Sequence, residues 1–172
     1  MDRPRYQRIA SPVGDLYIAA NREAIIALGY ARNWPAFRPT LGDAAEASSP
    51  LLRECEKQLR EYFAGDRKVF ELPLSFTGTP FQRKVWNALL TLPWGSTCSY
   101  AELAKKVGSP RAWRAVGSAN GANPISIIAP CHRVIASDGS LAGYGGGQSV
   151  KRTLLRLEGV DIGQAGSRLS PG

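Results

Sequence analysis

Short apolar runs in the first part of the chain predict a small β-sheet. Such runs cover residues 5–10, 16–20 and 24–30. The segment SPVGD between the first two runs is typical of a hairpin connection. Residues 70–76 predict one more strand. Residues 31–50 are rich in Pro, Ala, Gly and Ser, and this composition favours a loop.

One helix is predicted between this loop and the last strand. The segment LLRECEKQLREYFAG, which begins at residue 51, repeats its apolar side chains at helical spacing. Ser49 and Pro50 match an N-cap and a first-turn proline, and Gly65 fits the end of the helix. The first part of the chain therefore predicts a small α/β unit with an antiparallel sheet.

From residue 80 onward the apolar spacing becomes helical. Ser99 and Glu102 match a capping box, and Gly108 falls between two short helices, as in a helix-turn-helix. The predicted helices cover residues 80–92, 100–107, 111–120 and 150–157. This part is expected to be mostly helical and similar to a winged-helix domain.

The segment TGTP at residues 77–80 interrupts both patterns and marks the predicted domain boundary. We expect an α+β protein with an α/β structural domain at residues 1–76 and a mostly helical domain at residues 77–162. Residues 163–172 are rich in Gly and Ser, which predicts a disordered tail.

Positive charge is concentrated in the second half of the chain. The 172 residues include 22 Lys and Arg against 14 Asp and Glu, a formal net charge of +8. Residues 1–80 hold 11 basic and 10 acidic side chains, whereas residues 81–172 hold 11 basic and 4 acidic ones. Such a one-sided balance is typical of a protein that binds a phosphate backbone. A solubilising surface without a partner is the alternative interpretation.

The cysteine and histidine counts exclude several classes of protein. Three cysteines without a CxxC pair do not form a disulfide framework, and they favour a reducing, cytoplasmic location. A single histidine excludes a two-Cys, two-His zinc finger and a three-His zinc site, and no metal or other cofactor is predicted. The chain starts without a signal-peptide pattern, and no apolar run approaches the roughly 18 residues of a membrane span.

The strongest chemical signal is Cys131, which follows an apolar segment and precedes the only histidine, His132. A thiolate is a strong nucleophile, and an imidazole is the usual base that generates it. Neighbours in an extended segment point to opposite faces, so a bridging water is expected between them. Glu158 is the best of the four acids after residue 80 for orienting the histidine. A buried structural cysteine beside a surface histidine is the alternative.

A series of motifs covers residues 81–159 of the chain. They are GSTCSYAELA at 95–104, RAVGSANGANP at 114–124, PCHRV at 130–134, GYGGG at 143–147 and KxxLLxLEG at 151–159. In this order they strongly resemble the O6-alkylguanine-DNA alkyltransferases, or methylated-DNA–protein-cysteine methyltransferases. The first half is similar more loosely, through SPVGDLYIA near its start and FQRKVW at the domain junction.

The resemblance implies a single-use DNA repair reaction. Cys131 would accept the alkyl group from O6 of guanine by in-line displacement and keep it, so that each molecule acts once. His132 would deprotonate the thiol through a water molecule, and Glu158 would polarise His132. Asn123 would support the turn before the active-site segment. Arg133 would be structural, pairing with carbonyls or acids, and a catalytic role is the alternative. O4-alkylthymine is a second candidate substrate.

The resemblance also implies that a monomer binds double-stranded DNA through the minor groove and flips out the alkylated base, because O6 is not reachable in line inside a duplex. Tyr100 would rotate the target phosphate and donate a proton to guanine N3. Arg114 would fill the gap in the base stack; a phosphate contact is the alternative. The implied groove-facing helix residues are Ala115, Gly117, Ser118 and Ala119. A tight helix–helix contact is the alternative for these small side chains.

The glycine-rich segment at residues 141–147 is implied to form one wall of the pocket for the flipped base. Tyr144 would pack on the guanine, and the glycines would let the backbone approach it. Lys151 would brace this segment, and a solvated lysine at a helix start is the alternative. The implied pocket residues are Ser126, Pro130, Tyr144, Gly145, Gly146 and Lys151.

Two other functions compete with alkyl transfer. A non-catalytic binder of alkylated DNA, similar to the alkyltransferase-like proteins, would replace the nucleophilic cysteine, which is intact here. An ordinary helix-turn-helix DNA-binding protein would leave the PCHR segment unexplained. Repair by direct alkyl transfer is therefore the favoured interpretation.

Overall fold

A computed structural model describes residues 3–161, which form two compact units, one ending at Phe76 and the other beginning at Thr77. The first unit is a sheet with one long helix, and the second is mostly helical. The predicted α+β class is confirmed. The predicted tail at residues 163–172 lies outside the described residues.

A four-stranded sheet in the order β3-β2-β1-β4 forms the first unit. Its strands are β1 (Arg5–Ile9), β2 (Leu16–Ala20), β3 (Ile25–Tyr30) and β4 (Ala45–Glu46). β2 is antiparallel to both β1 and β3, as predicted. The unpredicted edge strand β4 runs parallel to β1, with Ala45 opposite Arg5.

Residues 31–50 are not the plain loop that their composition predicts. A short helix, α1 (Trp34–Phe37), lies between two 3-10 turns and precedes β4. Trp34 is buried, and its ring stacks on that of Tyr17 with the centroids 4.3 Å apart. Burial of this ring stabilises helical turns that the local composition does not favour.

The long helix α2 (Pro50–Phe63) packs on strands β1, β2 and β3. Ser49 caps it as predicted, since its hydroxyl accepts a hydrogen bond from the backbone N–H of Leu52 at 3.1 Å. The apolar side chains that α2 buries are Leu52, Cys55, Leu59 and Tyr62.

The strand predicted over residues 70–76 is wrong. The segment makes one isolated parallel bridge, between Leu74 and Ile25 of β3. Ile25 N–H donates to the Pro73 carbonyl at 2.8 Å, and Ser75 N–H donates to the Ile25 carbonyl at 3.0 Å. Pro73 has no N–H to offer, so a longer ladder does not form here.

Four helices dominate the second unit. They are α3 (Pro80–Leu89), α4 (Tyr100–Lys106), α5 (Trp113–Gly121) and α6 (Gln148–Leu157). Capping boxes begin both α3 and α4, from Thr79 with Gln82 and from Ser99 with Glu102. No helix within residues 3–161 has the length and apolar character that crossing a membrane requires.

Helices α4 and α5 form the predicted helix-turn-helix and pack on α3. The indole N–H of Trp86 in α3 donates to the Ala119 carbonyl at 2.7 Å and fixes α5 to α3. A two-residue strand β5 (Cys98–Ser99) also pairs in parallel with β6 (Val134–Ile135). This unpredicted pairing places the start of α4 beside the chain that follows Cys131.

Candidate active site

A cavity of about 280 Å³ in the second unit gathers residues that are far apart in the sequence. Its walls come from α4, α5, the segment that leads to Cys131, and the glycine-rich segment. The lining residues are Tyr100, Gly117, Asn120, Gly121, Asn123, Ser126, Cys131, Gly143, Tyr144 and Gly145. Many of the residues proposed from the sequence therefore meet at one cavity.

Cys131 lies on the cavity wall with 5% of its surface exposed. Residues Cys131–Arg133 form one turn of 3-10 helix, so the extended segment that the sequence predicts is wrong at this point. The N–H of Arg133 bonds to the Pro130 carbonyl at 3.0 Å and closes the turn. The Asn120 side chain donates to the Cys131 carbonyl at 3.4 Å, which links the cysteine to α5.

Asn123 organises the segment between α5 and Cys131. Its amide donates to the Ala129 carbonyl at 2.8 Å, and its carbonyl oxygen accepts from the Ile125 N–H at 3.0 Å. Within this segment Ile127 has a φ of 72°, a left-handed conformation that is rare for a β-branched residue. The bonds of Asn123 help to hold this strained segment in place.

His132 and Glu158 form a fully buried pair. His132 Nε2 lies 2.6 Å from Glu158 Oε2, and both side chains have no exposed surface. A carboxylate accepts hydrogen bonds, so Nε2 carries the proton and donates to it. His132 Nδ1 is buried and has no hydrogen-bond partner among the described residues. This nitrogen is therefore the one that is left to accept a proton.

Arg133 fixes Glu158 from the other side. Its Nε donates to Glu158 Oε1 at 2.7 Å, and its Nη2 donates to Oε2 at 3.1 Å. Its Nη1 donates to the Leu92 carbonyl at 2.5 Å. Arg133 thus pairs with an acid and a carbonyl, as the sequence predicts.

The protonation of this network follows from burial and pairing. Burial alone would raise the pKa of Glu158, but His132 and Arg133 outweigh it and lower that pKa to about 2. Burial lowers the pKa of His132, and Glu158 opposes this shift. Because Arg133 is always charged, Glu158 stays ionised beside a neutral histidine.

Burial raises the pKa of the Cys131 thiol. Polar neighbours oppose the shift; they are the side chains of Asn123, Tyr144 and Ser126 and the charge of Lys151. At rest the cysteine is therefore a protonated thiol, and its reactivity depends on removal of the proton.

Lys151 is completely buried near the start of α6, so the alternative of a solvated lysine is wrong. Its ammonium group donates to the Val134 carbonyl at 2.7 Å and also to the Leu141 carbonyl. It therefore joins the chain after Cys131 to the glycine-rich segment. Burial lowers its pKa to about 8, although the charge of Cys131 opposes this.

Three residues proposed for the pocket do not line the cavity. Pro130, Gly146 and Lys151 are buried and lie outside its lining. Lys151 points instead to the carbonyls of Val134 and Leu141. The cavity lining instead includes Asn120, Gly121 and Gly143.

The residues proposed to face DNA divide between two sides of α5. Arg114, Ala115 and Ser118 are exposed, whereas Gly117 lines the cavity 3.6 Å from the Tyr100 ring, measured from its ideal Cβ position. Ala119 is buried against α3, which corrects its proposed place on the DNA-facing side. Helical periodicity explains both results, because five of the six residues from Arg114 to Ala119 cannot share one face of a helix.

Asn120 is one of three cavity residues that were not predicted from the sequence, together with Gly121 and Gly143. It stands in the motif RAVGSANGANP, three residues after Gly117, and this spacing places both on the same edge of α5. Burial raises the pKa of Tyr100, the Cys131 charge adds to this, and the Asn120 side chain opposes it. The helical spacing was the available signal.

Residues 3–161 contain no group of three or more His, Cys, Asp or Glu side chains placed to bind a metal ion. The side chains that line the cavity supply a thiol, two phenols, a hydroxyl and two amides. The imidazole of His132, paired with the Glu158 carboxylate, is buried outside this lining.

Two family models match the chain. Residues 5–76 match the model described as "6-O-methylguanine DNA methyltransferase, ribonuclease-like domain". Residues 80–160 match "6-O-methylguanine DNA methyltransferase, DNA binding domain". Together the two matches account for most of the described residues.

Curated relatives and solved structures agree with these matches. The chain is 45% identical to the constitutive methylated-DNA–protein-cysteine methyltransferase of Bacillus subtilis, over 90% of this chain and 95% of that one. It is 47% identical to the Mycobacterium leprae methylated-DNA–protein-cysteine methyltransferase, over 86% and 88%. The structure of Mycobacterium tuberculosis OGT in complex with DNA superposes with a TM-score of 0.82 and 44% identity, over 90% and 92%.

Proposed function

The chain belongs to the 6-O-methylguanine DNA methyltransferase family and repairs DNA by alkyl transfer to a cysteine, and we propose that the acceptor is Cys131. One observation carries this assignment. Among the three cysteines, Cys131 alone lines the cavity, whereas Cys55 and Cys98 are buried away from it. The proposed donor is O6-alkylguanine in double-stranded DNA, and O4-alkylthymine remains a predicted second substrate.

The transfer begins with deprotonation of the thiol. His132 donates through Nε2 to Glu158, so its Nδ1 takes the Cys131 proton, through a water molecule. The positive charge that develops on the imidazole is stabilised by the carboxylate. Arg133 keeps that carboxylate ionised and in place before the proton moves.

The thiolate then attacks the alkyl carbon in line with the bond to O6. The S–C bond forms as the O6–C bond breaks, and the bond electrons leave with the guanine. Tyr100, which lines the cavity, donates a proton to guanine N3. His132 then releases the former thiol proton to solvent and Tyr100 takes one up from solvent, so the net transfer is of one proton from Cys131 to guanine. The product is a thioether on Cys131, and since no group in the cavity removes it, each molecule acts once.

Base flipping brings the lesion to the cavity. A closed duplex does not allow in-line attack on O6, so the nucleotide leaves the stack and enters beside α5. The exposed small side chains Ala115 and Ser118 allow α5 to approach the minor groove closely, where sequence is read weakly. Arg114, which is exposed at the start of α5, fills the vacated place in the stack.

The distribution of charge supports DNA as the partner, and the free cysteines support a reducing compartment. The excess of basic side chains lies in residues 81–172, the half that contains α5 and the cavity, and it favours a polyanionic partner. We propose that a monomer acts on DNA. All three cysteines are free thiols, which fits the reducing cytoplasm that we propose as its location.

Labelled DNA tests this function directly. Duplex DNA with a radiolabelled methyl group on O6 of guanine is incubated with increasing amounts of protein. The label bound to protein should saturate at one equivalent, and peptide mapping should find S-methylcysteine at position 131. Label released as free methanol, transfer beyond one equivalent, or label on Cys55 or Cys98 would contradict the proposal.

A further inference from the structure

Trp113 is one of three large hydrophobic side chains that are exposed among the described residues. The others are Val69 in the first unit and Leu90 at the end of α3. Trp113 is the first residue of α5 and is 49% exposed. A single exposed hydrophobic side chain is ordinary on a protein surface, so the contacts of Trp113, and not its exposure, carry the argument.

The indole of Trp113 already makes one specific contact. The guanidinium carbon of Arg114 lies 5.0 Å from the centre of the Trp113 ring. This distance falls within the range of about 6 Å at which a cation over an aromatic face is attracted by the ring quadrupole. Tryptophan is the best of the aromatic side chains for such a contact.

The position of Trp113 on the helix relates this contact to the cavity. Gly117 and Asn120 follow it by four and seven residues, so the three residues share one edge of α5. Gly117 and Asn120 line the cavity. Trp113 therefore stands on the cavity edge of α5, one helical turn before Gly117.

We propose that Trp113 is a positioning residue for repair of duplex DNA, and that its indole holds the Arg114 guanidinium beside the cavity edge of α5, ready to enter the base stack. The inference rests on the stack-filling role proposed above for Arg114. A free arginine samples many rotamers, and their loss on binding weakens the complex. If the indole already restricts the arginine side chain, less rotamer freedom is lost when the arginine binds DNA. The cation–π contact is exposed and therefore weak, so the guanidinium can leave the indole and enter the base stack.

Comparison of two substrates tests the proposal. Trp113→Ala should slow single-turnover transfer from duplex O6-methylguanine DNA by about two- to fivefold, the rate equivalent of an exposed cation–π contact. Trp113→Phe should lie between this variant and the wild type. Reaction with the free O6-methylguanine base needs no base flipping, so its rate should not change in either variant. Leu90→Ala, which also removes an exposed apolar side chain from the second unit, should leave both rates unchanged.

A double-mutant cycle with Arg114→Ala separates positioning from other roles. Adding Trp113→Ala to Arg114→Ala should cause no further loss on duplex DNA. An additive loss would mean that Trp113 contacts DNA by itself, and a faster Trp113→Ala protein would mean that it sequesters the arginine. An equal loss on the free base would indicate a structural role. Each of these three results overturns the proposal.

The same experiment separates failure of the stack-filling role of Arg114 from failure of the positioning role of Trp113. If Arg114→Ala repairs duplex DNA at the wild-type rate, the stack-filling role is wrong, and positioning by Trp113 falls with it. If Arg114→Ala is slow while Trp113→Ala behaves as the wild type, only the positioning role is wrong.

Discussion

The two units differ in what they bury. Among the described residues of the first unit, Gln58 is the one buried residue whose side chain carries an amide or a charge. The second unit buries charged and polar side chains, namely Ser99, Asn120, His132, Arg133, Lys151 and Glu158. Burial of a charge is costly unless it is paired, so the second unit gives up stability that an apolar core would provide. What it gains is a histidine whose Nε2 is held on a carboxylate, next in the sequence to a cysteine that lines the cavity.

Replacement of a single sulfur atom gives the largest expected contrast between the units. Cys131→Ser should abolish transfer, because a hydroxyl in this site is a far weaker nucleophile than a thiolate. Cys55→Ser is the matched change in the first unit, where burial raises the pKa of the thiol to about 12 and keeps it inert. It should retain full transfer of label from O6-methylguanine DNA. Transfer by the Cys131→Ser protein would show that another residue accepts the alkyl group.

Glu158→Gln should have the next largest effect. The amide cannot balance the charge of Arg133, and an unpaired buried charge costs about 3–5 kcal/mol. We therefore expect a loss of this size in the free energy of unfolding, measured with urea, together with slower transfer. Glu102→Gln is the control, because glutamine preserves the capping box of α4. Equal stability of the Glu158→Gln protein and the wild type would mean that the buried network is not held by its charge.

Lowering the pH should weaken the same buried network in the wild-type protein and reduce its free energy of unfolding. The folded-state pKa of Glu158 is about 2, below the ordinary value of 4.5, so its stabilising effect is complete above pH 4.5. It is lost as the pH falls from there towards 2. The free energy of unfolding should therefore drop more steeply in this window for the wild type than for the Glu158→Gln variant.

The smallest effect is expected from Gln58→Leu in the first unit. The side chain of Gln58 accepts from the Glu71 N–H at 2.9 Å and donates to the Glu71 carbonyl at 3.2 Å. Its loss should reduce the free energy of unfolding by about 1 kcal/mol, since Glu71 is exposed and water replaces the bonds. Transfer should not change. A slower transfer would mean that the first unit shapes the site, and the contrast between the units would fail.

Local signals made much of the fold predictable. Ser49 with Pro50 and the capping box of Ser99 with Glu102 act within a few residues, and the helices that follow them are present. The turns around Trp34 were missed because they depend on stacking with Tyr17 from another element. The pairing of β5 with β6 involves two residues on each side, too few to leave a periodic pattern.

The candidate site likewise combines features that the sequence predicts with features that depend on contacts distant in the sequence. Cys131 and His132 are adjacent in the sequence, and their chemistry alone drew attention to them. Their conformation was wrong in the prediction, because the 3-10 turn depends on bonds to Pro130 and Ala129 and not on side-chain alternation. The burial of Lys151 was equally hidden, since its partners are backbone carbonyls that every residue possesses.

The separation of Glu158 from His132 along the chain has a consequence for the order of synthesis. The carboxylate lies 26 residues after the histidine that it orients. The ribosome therefore adds the thiol and the imidazole to the chain before the carboxylate that orients the imidazole. Until α6 folds and brings Glu158 to Arg133, the nascent chain holds an ordinary cysteine. Because every residue of the cavity lining precedes Glu158 in the sequence, the carboxylate is the last part of the proposed site to be synthesised.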